Sequence, residues 1–416
     1  MSSDWNIYKM GDVVDVTQGL AINAKSKHLF RETGLPLLRI SDLFSDQYLQ
    51  FISEEEVPKQ CIATREELVY TRTGQVGYIF TNKIGVVHNN CFKVTPKTND
   101  TSREFLYWFL RQDSVREHVN LIASGSVQKD LTHSAFKSIE IKIPDLPTQL
   151  QIGSILKPLD DRITLLRETN TTLEAIAQAL FKSWFVDFDP VHAKQQGREP
   201  EGMDANTAAL FPDSFEESEL GLVPKGWRVG TLGDIANTSR KQIHPTELRS
   251  DLHYVGLEHI PRKSLSLINW DNAQGLESAK AAFGEGDILF GKLRPYFHKV
   301  VIAPFDGVCS TDILVCRAIQ DTYYGVITMH LFSEVLIEYA NRLSNGAKMP
   351  RVNWKDIAAY PICVPPIAIA EKFSNAVKPL FSQMMANVLQ TQTLANLRDT
   401  LLPRLISGQL RLPEAL

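Results

Sequence analysis

Cysteine is scarce in this chain of 416 residues: there are five, and none stands in a CxxC pair. The odd number and the spacing argue against a disulfide framework and against a zinc site, so we expect free thiols in a reducing, cytoplasmic compartment. No apolar run approaches the ~20 residues of a membrane helix, and the first residues lack the basic and apolar pattern of a signal peptide. Membrane insertion and secretion are therefore not expected.

The motifs of common catalytic sites are also missing. The sequence has no GxxxxGK[ST] phosphate loop, no GxGxxG after a strand and no HExxH. Their absence disfavours ATP hydrolysis, dinucleotide binding and zinc-protease chemistry by this chain. It also lacks the Asn/Asp-Pro-Pro-aromatic sequence that amino-methyltransferases place against the target base. We therefore expect a chain that holds no metal or cofactor of its own.

One nuclease-like pattern is present. Asp130, Glu140 and Lys142 fit the loose D…ExK arrangement that can hold a divalent cation. A strand with alternating Glu and Lys produces this pattern by accident, and the second half of the chain does not repeat it. The equivalent positions there are Arg351, Pro361 and Cys363. A stand-alone metal-dependent endonuclease is therefore kept only as an alternative function.

The chain contains an internal repeat of about half its length. KPL at 157–159 recurs at 378–380, IKIP at 141–144 matches ICVP at 362–365, and ELVY at 67–70 matches DILF at 287–290. These matches stay collinear within one or two residues of a 221-residue offset. So long a period indicates domain duplication, because solenoid repeats are about 20–50 residues long.

Each copy has a β-rich part followed by a long helix. Short apolar runs bounded by turn residues predict strands, and segments 104–121 and 328–343 each predict one amphipathic helix. The β-rich domains are predicted at 1–147 and 226–366, and the long helices at 148–186 and within 367–416, which also holds a C-terminal tail. The fold class is therefore α/β (α+β), with two duplicated β-rich domains separated by two long helices.

Apolar residues at alternating steps of four and three predict a coiled-coil seam on both helices. Pro158 and Pro379 are expected to kink or start these helices, because proline lacks the backbone donor. Asn170 is either a solvated edge residue or a buried polar layer that fixes the register, and Arg398 makes the second seam irregular. The predicted seam residues are Leu159, Ile163, Leu166, Asn170, Leu173, Leu180, Trp184, Leu394, Leu401 and Leu405.

The two copies are joined by an acidic segment, residues 187–225. It has nine acidic and three basic residues, a net charge of −6 against −4 for the whole chain. Its four prolines and its charge predict a semi-ordered linker. Neither β-rich domain is basic enough to indicate nucleic-acid binding by charge alone.

Two polar loops recur at matching places in the copies. TRTGQ at 71–75 aligns with GKLRP at 291–295, and SGSVQK at 124–129 aligns with NGAKMP at 345–350. Small, amide and cationic residues suit contact with a phosphate backbone, and Arg and Gln can read base edges. Ordinary turn chemistry explains each loop alone, but the recurrence favours DNA binding. The candidate residues are Arg72, Gln75, Ser126, Gln128, Lys129, Lys292, Arg294, Lys348 and Arg351.

These features together resemble the specificity subunit of a type I restriction-modification system, over nearly the whole chain. The resemblance depends most on ALFKSWFVDFDP at 179–190 and LRDTLLPRLISG at 397–408, which end the two helices. GLVPKGW at 221–227 resembles that family's approach to its second recognition domain.

The resemblance implies a non-catalytic subunit that reads a bipartite DNA target with two target-recognition domains. It implies two antiparallel spacer helices, and the duplication predicts a pseudo-two-fold relation between the copies. The implied partners are double-stranded DNA, two methyltransferase subunits and two restriction or translocase subunits. S-adenosylmethionine, ATP and Mg²⁺ would bind to those partners. A coiled-coil scaffold that does not contact DNA is the second alternative.

Overall fold

The computed structural model describes residues 5–346, 349–410 and 412. Within the first of these ranges, only the backbone of Ala24 is described. The chain divides into two compact units. The first unit is Met1–Asp161 with Ala395–Leu416, and the second is Arg162–Leu394. Two 40-residue helices contribute to both units. No helix in the described ranges is long and apolar enough to cross a membrane.

The first unit contains short strands with a few helices between them. Its strands are β1 (Asn6–Lys9), β2 (Val14–Gln18), β3 (Phe30–Arg31), β4 (Leu35–Leu38), β5 (Phe51–Ile52), β6 (Ile62–Ala63), β7 (Leu68–Thr71), β8 (Ile79–Phe80), β9 (Gly85–Val87), β10 (Cys91–Pro96) and β11 (Glu140–Ile143). Its helices are α1 (Met10–Val13), α2 (Ile40–Ser45), α3 (Arg103–Arg111), α4 (Asp113–Ile122), α5 (His133–Lys137) and the first part of α6 (Leu146–Phe185).

The second unit repeats this plan after an inserted segment. That segment forms α7 (Asp189–Gln195), α8 (Ala205–Leu210) and the hairpin β12 (Phe215–Ser218) and β13 (Gly221–Pro224). The strands that follow are β14 (Arg228–Thr231), β15 (Ala236–Thr238), β16 (Gln242–Ile243), β17 (His253–Val255), β18 (Asp271–Asn272), β19 (Lys280–Phe283), β20 (Ile288–Gly291), β21 (Val300–Ile302), β22 (Gly307–Cys309), β23 (Ile313–Ala318) and β24 (Pro361–Val364). The remaining helices are α9 (Tyr324–Phe332), α10 (Glu334–Leu343), α11 (Trp354–Ala358) and α12 (Ile367–Ile406).

Two sheets are duplicated strand for strand. The antiparallel pair β1·β11 corresponds to β14·β24, and the order β2-β10-β7-β8 corresponds to β15-β23-β20-β21. Along β11, Glu140 and Lys142 are exposed while Ile141 and Ile143 are buried, as the two-residue period of a strand requires. The duplicated α/β fold predicted from the repeat is confirmed.

The third sheet of each unit shares four strands and differs at one edge. The order β5-β4-β9-β6 corresponds to β18-β17-β22-β19, and each set contains one parallel pair, β4·β9 or β17·β22. The first unit adds β3 beside β5, whereas the second adds β16 beside β19. The copies therefore diverge in the outer part of this sheet.

The long helices begin earlier than their prolines. The helix α6 starts at Leu146, where the carboxylate of Asp145 accepts a hydrogen bond from the backbone N–H of Thr148, 3.2 Å. The expectation that Pro158 and Pro379 start the helices is wrong, because both α6 and α12 continue through them. Packing along each helix outweighs the loss of one backbone hydrogen bond per proline.

Each segment predicted as one amphipathic helix is a pair of helices. In the first unit α3 and α4 are separated by Gln112, and in the second α9 and α10 are separated by Ser333. Both separating residues have extended backbones, and the Ser333 hydroxyl caps α10 by accepting from Leu336 N–H, 3.3 Å. A break of one residue changes the apolar period too little to be visible in the sequence.

The acidic segment 187–225 is folded in the second unit. Val191 and Phe211 are buried, and the Phe211 ring packs edge-on against Trp184 at 5.3 Å between centroids. Phe188 packs against Trp227 in the same way, at 5.7 Å. The prediction of a semi-ordered linker is wrong, because aromatic residues placed among the acidic ones attach the segment to the core.

Candidate nucleic-acid interface

The two polar loops of the first unit meet at the end of β7. The backbone N–H of Gly74 donates to the carbonyl of Lys129, and that of Leu131 donates to the carbonyl of Arg72, both at 2.8 Å. Asp130 and Ser124 also exchange backbone hydrogen bonds across the second loop, at 2.8 and 2.9 Å. The loops therefore form one backbone-bonded surface, although some 50 residues separate them in sequence.

The Arg72 guanidinium lies inside this junction. Its Nη2 donates to both carboxylate oxygens of Asp130, at 2.8 and 2.7 Å, and its Nη1 donates to Gln18 Oε1 at 2.9 Å. The Thr73 hydroxyl donates to Asp130 at 2.6 Å, and together with the Arg72 charge it holds the pKa of Asp130 below its usual value. The Arg72 side chain is only 19% exposed.

The other candidates of the first unit lie outside this junction. Gln75, Ser126 and Gln128 are exposed on the two loops. The Lys129 ammonium donates to the carbonyl of Asn120 in α4, 2.6 Å, and is half-buried. Three polar side chains therefore face solvent beside a fixed arginine.

The loops of the second unit meet in the same way at the end of β20. The N–H of Arg294 donates to the carbonyl of Pro350 at 2.7 Å, and that of Val352 donates to the carbonyl of Lys292 at 3.1 Å. Arg294 has a left-handed backbone, φ 52°, at the position equivalent to Gly74, φ 81°. The turn geometry is thus kept although the glycine is not.

The charge pair of the second unit is formed by different positions. Arg351, at the position equivalent to Asp130, donates from Nε and Nη2 to the carboxylate of Asp312, at 2.9 and 3.2 Å. This bond and the Arg351 charge lower the pKa of Asp312. The Arg351 side chain is 44% exposed.

Two other candidate DNA-binding residues of this unit, Lys292 and Arg294, are half-buried. The Arg294 guanidinium lies 5.9 Å from the centroid of the Phe297 ring. Lys348 lies outside the described residues.

The nuclease-like pattern does not form a metal site. Asp130 is paired with Arg72, while Glu140 and Lys142 are exposed on β11. Within the described parts of the chain, no group of three or more His, Cys, Asp or Glu residues could hold a metal ion. A stand-alone endonuclease is not favoured.

The helix seam contains a buried polar layer in the second unit. Asn387 Nδ2 donates to Asn170 Oδ1 at 2.8 Å, and Asn170 Nδ2 donates to the carbonyl of Met384 at 3.0 Å and to the hydroxyl of Ser266 at 3.1 Å. The Phe181 ring lies 6.2 Å from that of Phe373, so the helix segments run antiparallel in this unit. Half of the predicted seam residues are buried, namely Ile163, Leu166, Asn170, Trp184 and Leu405. The other half are partly buried, namely Leu159, Leu173, Leu180, Leu394 and Leu401.

Two residues that hold the candidate arginines in place were not among those predicted from the sequence. Gln18, at the end of β2, fixes Arg72, and Asp312, in the turn before β23, fixes Arg351. Neither belongs to a motif, and each is 39 or more residues from its partner. Only the folded sheets bring these pairs together, so the sequence carried no signal for them.

The duplicated sheets, the paired polar loops and the antiparallel helix segments define a class of protein, and comparison with known sequences places the chain in it. The type I restriction modification DNA specificity domain family matches residues 2–175 and 224–391. The chain belongs to this family.

Relatives in two organisms match nearly the full length. The type I restriction enzyme MjaIX specificity subunit of Methanocaldococcus jannaschii is 27% identical, over 99% of this chain and 94% of its own. The HindI specificity subunit of Haemophilus influenzae is 26% identical, over 98% and 100%. The crystal structure of an S subunit from M. genitalium has the same fold, with a TM-score of 0.60, 15% identity, and coverage of 99% of this chain and 97% of that one.

Proposed function

We propose that this chain is the DNA-reading subunit of a type I restriction-modification complex and that it recognises a bipartite target. The domains at 1–147 and 226–366 each read one half-site. The observation that carries the proposal is the duplication of the loop junction: the same two loops are joined by equivalent backbone hydrogen bonds in both units, while their side chains differ. A constant frame with variable side chains is what two readers of different sequences need.

The charge of the chain supports a reader that acts within a complex. Its formal net charge is −4, so it lacks the large positive excess with which isolated DNA-binding proteins neutralise phosphates. In the proposed complex, two methyltransferase subunits and two translocating subunits provide much of that contact. They also bind S-adenosylmethionine, ATP and Mg²⁺ and carry out methylation and cleavage, whereas this chain is not catalytic.

The test is the pattern of adenine methylation in genomic DNA. We expect co-expression of this chain with the methyltransferase encoded beside it to methylate one bipartite motif, detected by single-molecule sequencing. The methyltransferase alone is the control and should give no such motif. Absence of a motif in both samples, with the complex assembled, would contradict the proposal.

The two half-sites can be assigned with a chimera. Residues 1–147 are replaced by the first domain of another specificity subunit, which should change one half of the motif and leave the other. A change in both halves would contradict independent reading by two domains.

Two assays on the purified chain and its complex distinguish the proposed function from the two alternatives. A metal-dependent endonuclease would cut DNA when the purified chain receives Mg²⁺ alone, and D130N would abolish cleavage. A scaffold without DNA contact would give no footprint, and its partners would methylate the same sites without it.

A further inference from the structure

The two units hold an arginine–aspartate pair at the same junction, but the arginine comes from opposite loops. In the first unit Arg72 follows β7 and Asp130 lies on the second loop. In the second unit Arg351 lies on the second loop, and Asp312 precedes β23. The pairs are therefore not copies of one structural bond.

The remaining donors of the two guanidiniums differ. An arginine has five N–H donors, and a guanine accepts two of them at N7 and O6. Arg72 uses both terminal nitrogens, Nη1 to Gln18 and Nη2 to Asp130, and its buried Nε has no hydrogen-bond partner within the described structure. The terminal edge of Arg72, which Nη1 and Nη2 form, is thus already hydrogen-bonded to protein side chains.

Asp312 binds the Arg351 guanidinium along a different edge, the one that Nε and Nη2 form. Asp312 accepts from Nε and Nη2, so both hydrogens of Nη1 and one of Nη2 are left beyond this pair. These are the donors of the terminal edge, which matches the two acceptors of guanine. With 44% of its side chain exposed, Arg351 can present this edge to a ligand, whereas Arg72, at 19%, cannot without breaking its bonds.

The backbone of Arg351 is also fixed. Its N–H donates to the carbonyl of Asn345 and its carbonyl accepts from Asn345 N–H, both at 2.9 Å. The carbonyl of Asp312 accepts from the N–H of Lys292, 3.0 Å, at the end of β20. Both members of the pair are thus attached to the frame, which is the preorganisation that a specific contact requires.

We propose that Asp312 orients Arg351 to read a guanine in the half-site of the second domain, whereas the Arg72–Asp130 pair closes the loops of the first unit and reads no base. The inference rests on the proposed function and adds to it a specificity residue and a positioning residue. It gives Arg72 a different role from the base reading considered from the sequence.

The experiment uses the full chain in complex with its methyltransferase and compares R351A, R351K, D312N and R72K with the unchanged chain. R351A should relax one G·C position of the second half-site about 5- to 150-fold, the range that one bidentate base contact contributes. D312N should relax the same position to a smaller degree. R72K should relax no position and should lower the thermal unfolding midpoint.

The half-sites are assigned with the 1–147 chimera, and folding is checked by circular dichroism. If R351A does not fold, R351K decides, because it keeps the charge but lacks the bidentate edge. A second half-site without a G·C pair, an unchanged motif in R351K and D312N, or a relaxed base in R72K would each overturn the inference. Loss of any motif with the unchanged chain would instead contradict the proposed function.

Discussion

Three charged side chains meet where the two long helices pack in the first unit. Asp160 Oδ2 accepts from Arg111 Nη1 and its Oδ1 accepts from Arg398 Nη1, each at 2.6 Å. Arg111 also lies over the Trp108 ring, 5.2 Å from its centroid. Arg398 occupies a seam position that the heptad pattern assigns to an apolar residue, and this triad explains how a cation is accommodated there.

Replacing Asp160 should destabilise the first unit. D160N removes the negative charge that two arginines share and leaves one acceptor oxygen in place of two. The Asp160 side chain is only 25% exposed. Loss of one member of a buried ion pair costs about 3–5 kcal/mol, and partial exposure reduces our expectation to about 1–3 kcal/mol. Denaturant unfolding measures the loss, with D161N as the matched control. Asp161 is exposed and should change the free energy of unfolding by less than about 0.5 kcal/mol.

The same carboxylate predicts a dependence on pH. Burial raises the pKa of Asp160, but the hydrogen bonds and charges of Arg111 and Arg398 outweigh it and hold the pKa below the ordinary value. A folded-state pKa below the unfolded value of about 3.9 means that the stabilisation is complete above that pH and is lost as the pH falls through the folded-state pKa. The unchanged chain and D160N should therefore differ by a constant free energy from pH 7 to about pH 5 and converge below about pH 4. A difference that grows in acid would contradict the assignment.

At the scale of elements, the Asn170–Asn387 layer should fix the helix register of the second unit. N387L leaves Asn170 Oδ1 without a donor in a buried site, at a cost of about 1–3 kcal/mol. The double variant N170L/N387L should lose less than the sum of the single losses, because both amides are then gone. Unfolding free energies of the four chains give the coupling. N375L, at an exposed position of the same helix, is the control, and strict additivity would count against a coupled layer.

The helices also illustrate how far the sequence predicts the fold. The seam from Ile163 to Trp184 was visible because apolar residues recur at a fixed period. The predicted beginning of the first long helix at residue 148 lies within two residues of the observed start at Leu146. The role of Pro158 was not predictable, because the helix continues through this proline, and only packing along the helix compensates for the missing backbone hydrogen bond.

The candidate interface was predictable only in part, for a related reason. Glycines, amides and cations marked the loops at 71–75 and 345–350, since turns need particular residue types. The partner of Arg351 was not predictable, because Asp312 is 39 residues away and is an ordinary turn residue in the sequence. Whether the terminal N–H donors of an arginine are bonded to protein, as in Arg72, or available to a ligand, as in Arg351, depends on sheet geometry that no local pattern encodes.

At the scale of the whole molecule, α6 and α12 continue from one compact unit into the other. Each has 40 residues, about 60 Å at 1.5 Å per residue. In a reader of a bipartite site, helices that are shared by both units would set the length of DNA left unread. This follows from the proposed function and makes the gap between half-sites a measurable consequence of helix length.

The last prediction lengthens both helices at the boundary between the units. Four residues inserted after Asp161 and four after Leu394 add about 6 Å and rotate the following residues by only about 40°. DNA rises about 3.4 Å per base pair, so the unread gap should grow by one to two base pairs while the sequences of the half-sites stay the same. Small changes in twist and bend of the duplex absorb the remainder at little cost. The methylated motif of each variant, read from genomic DNA, gives the gap.

Insertions of two residues at the same places serve as the control, since they rotate the following segment by about 200°. That rotation moves the seam away from its partner helix, so this variant should lose stability or methylation rather than change the gap. An unchanged gap with full methylation after the four-residue insertions would mean that the helices do not determine the spacing. The spacing would then have to come from the partner subunits, because the recognition domains themselves are not altered in either variant.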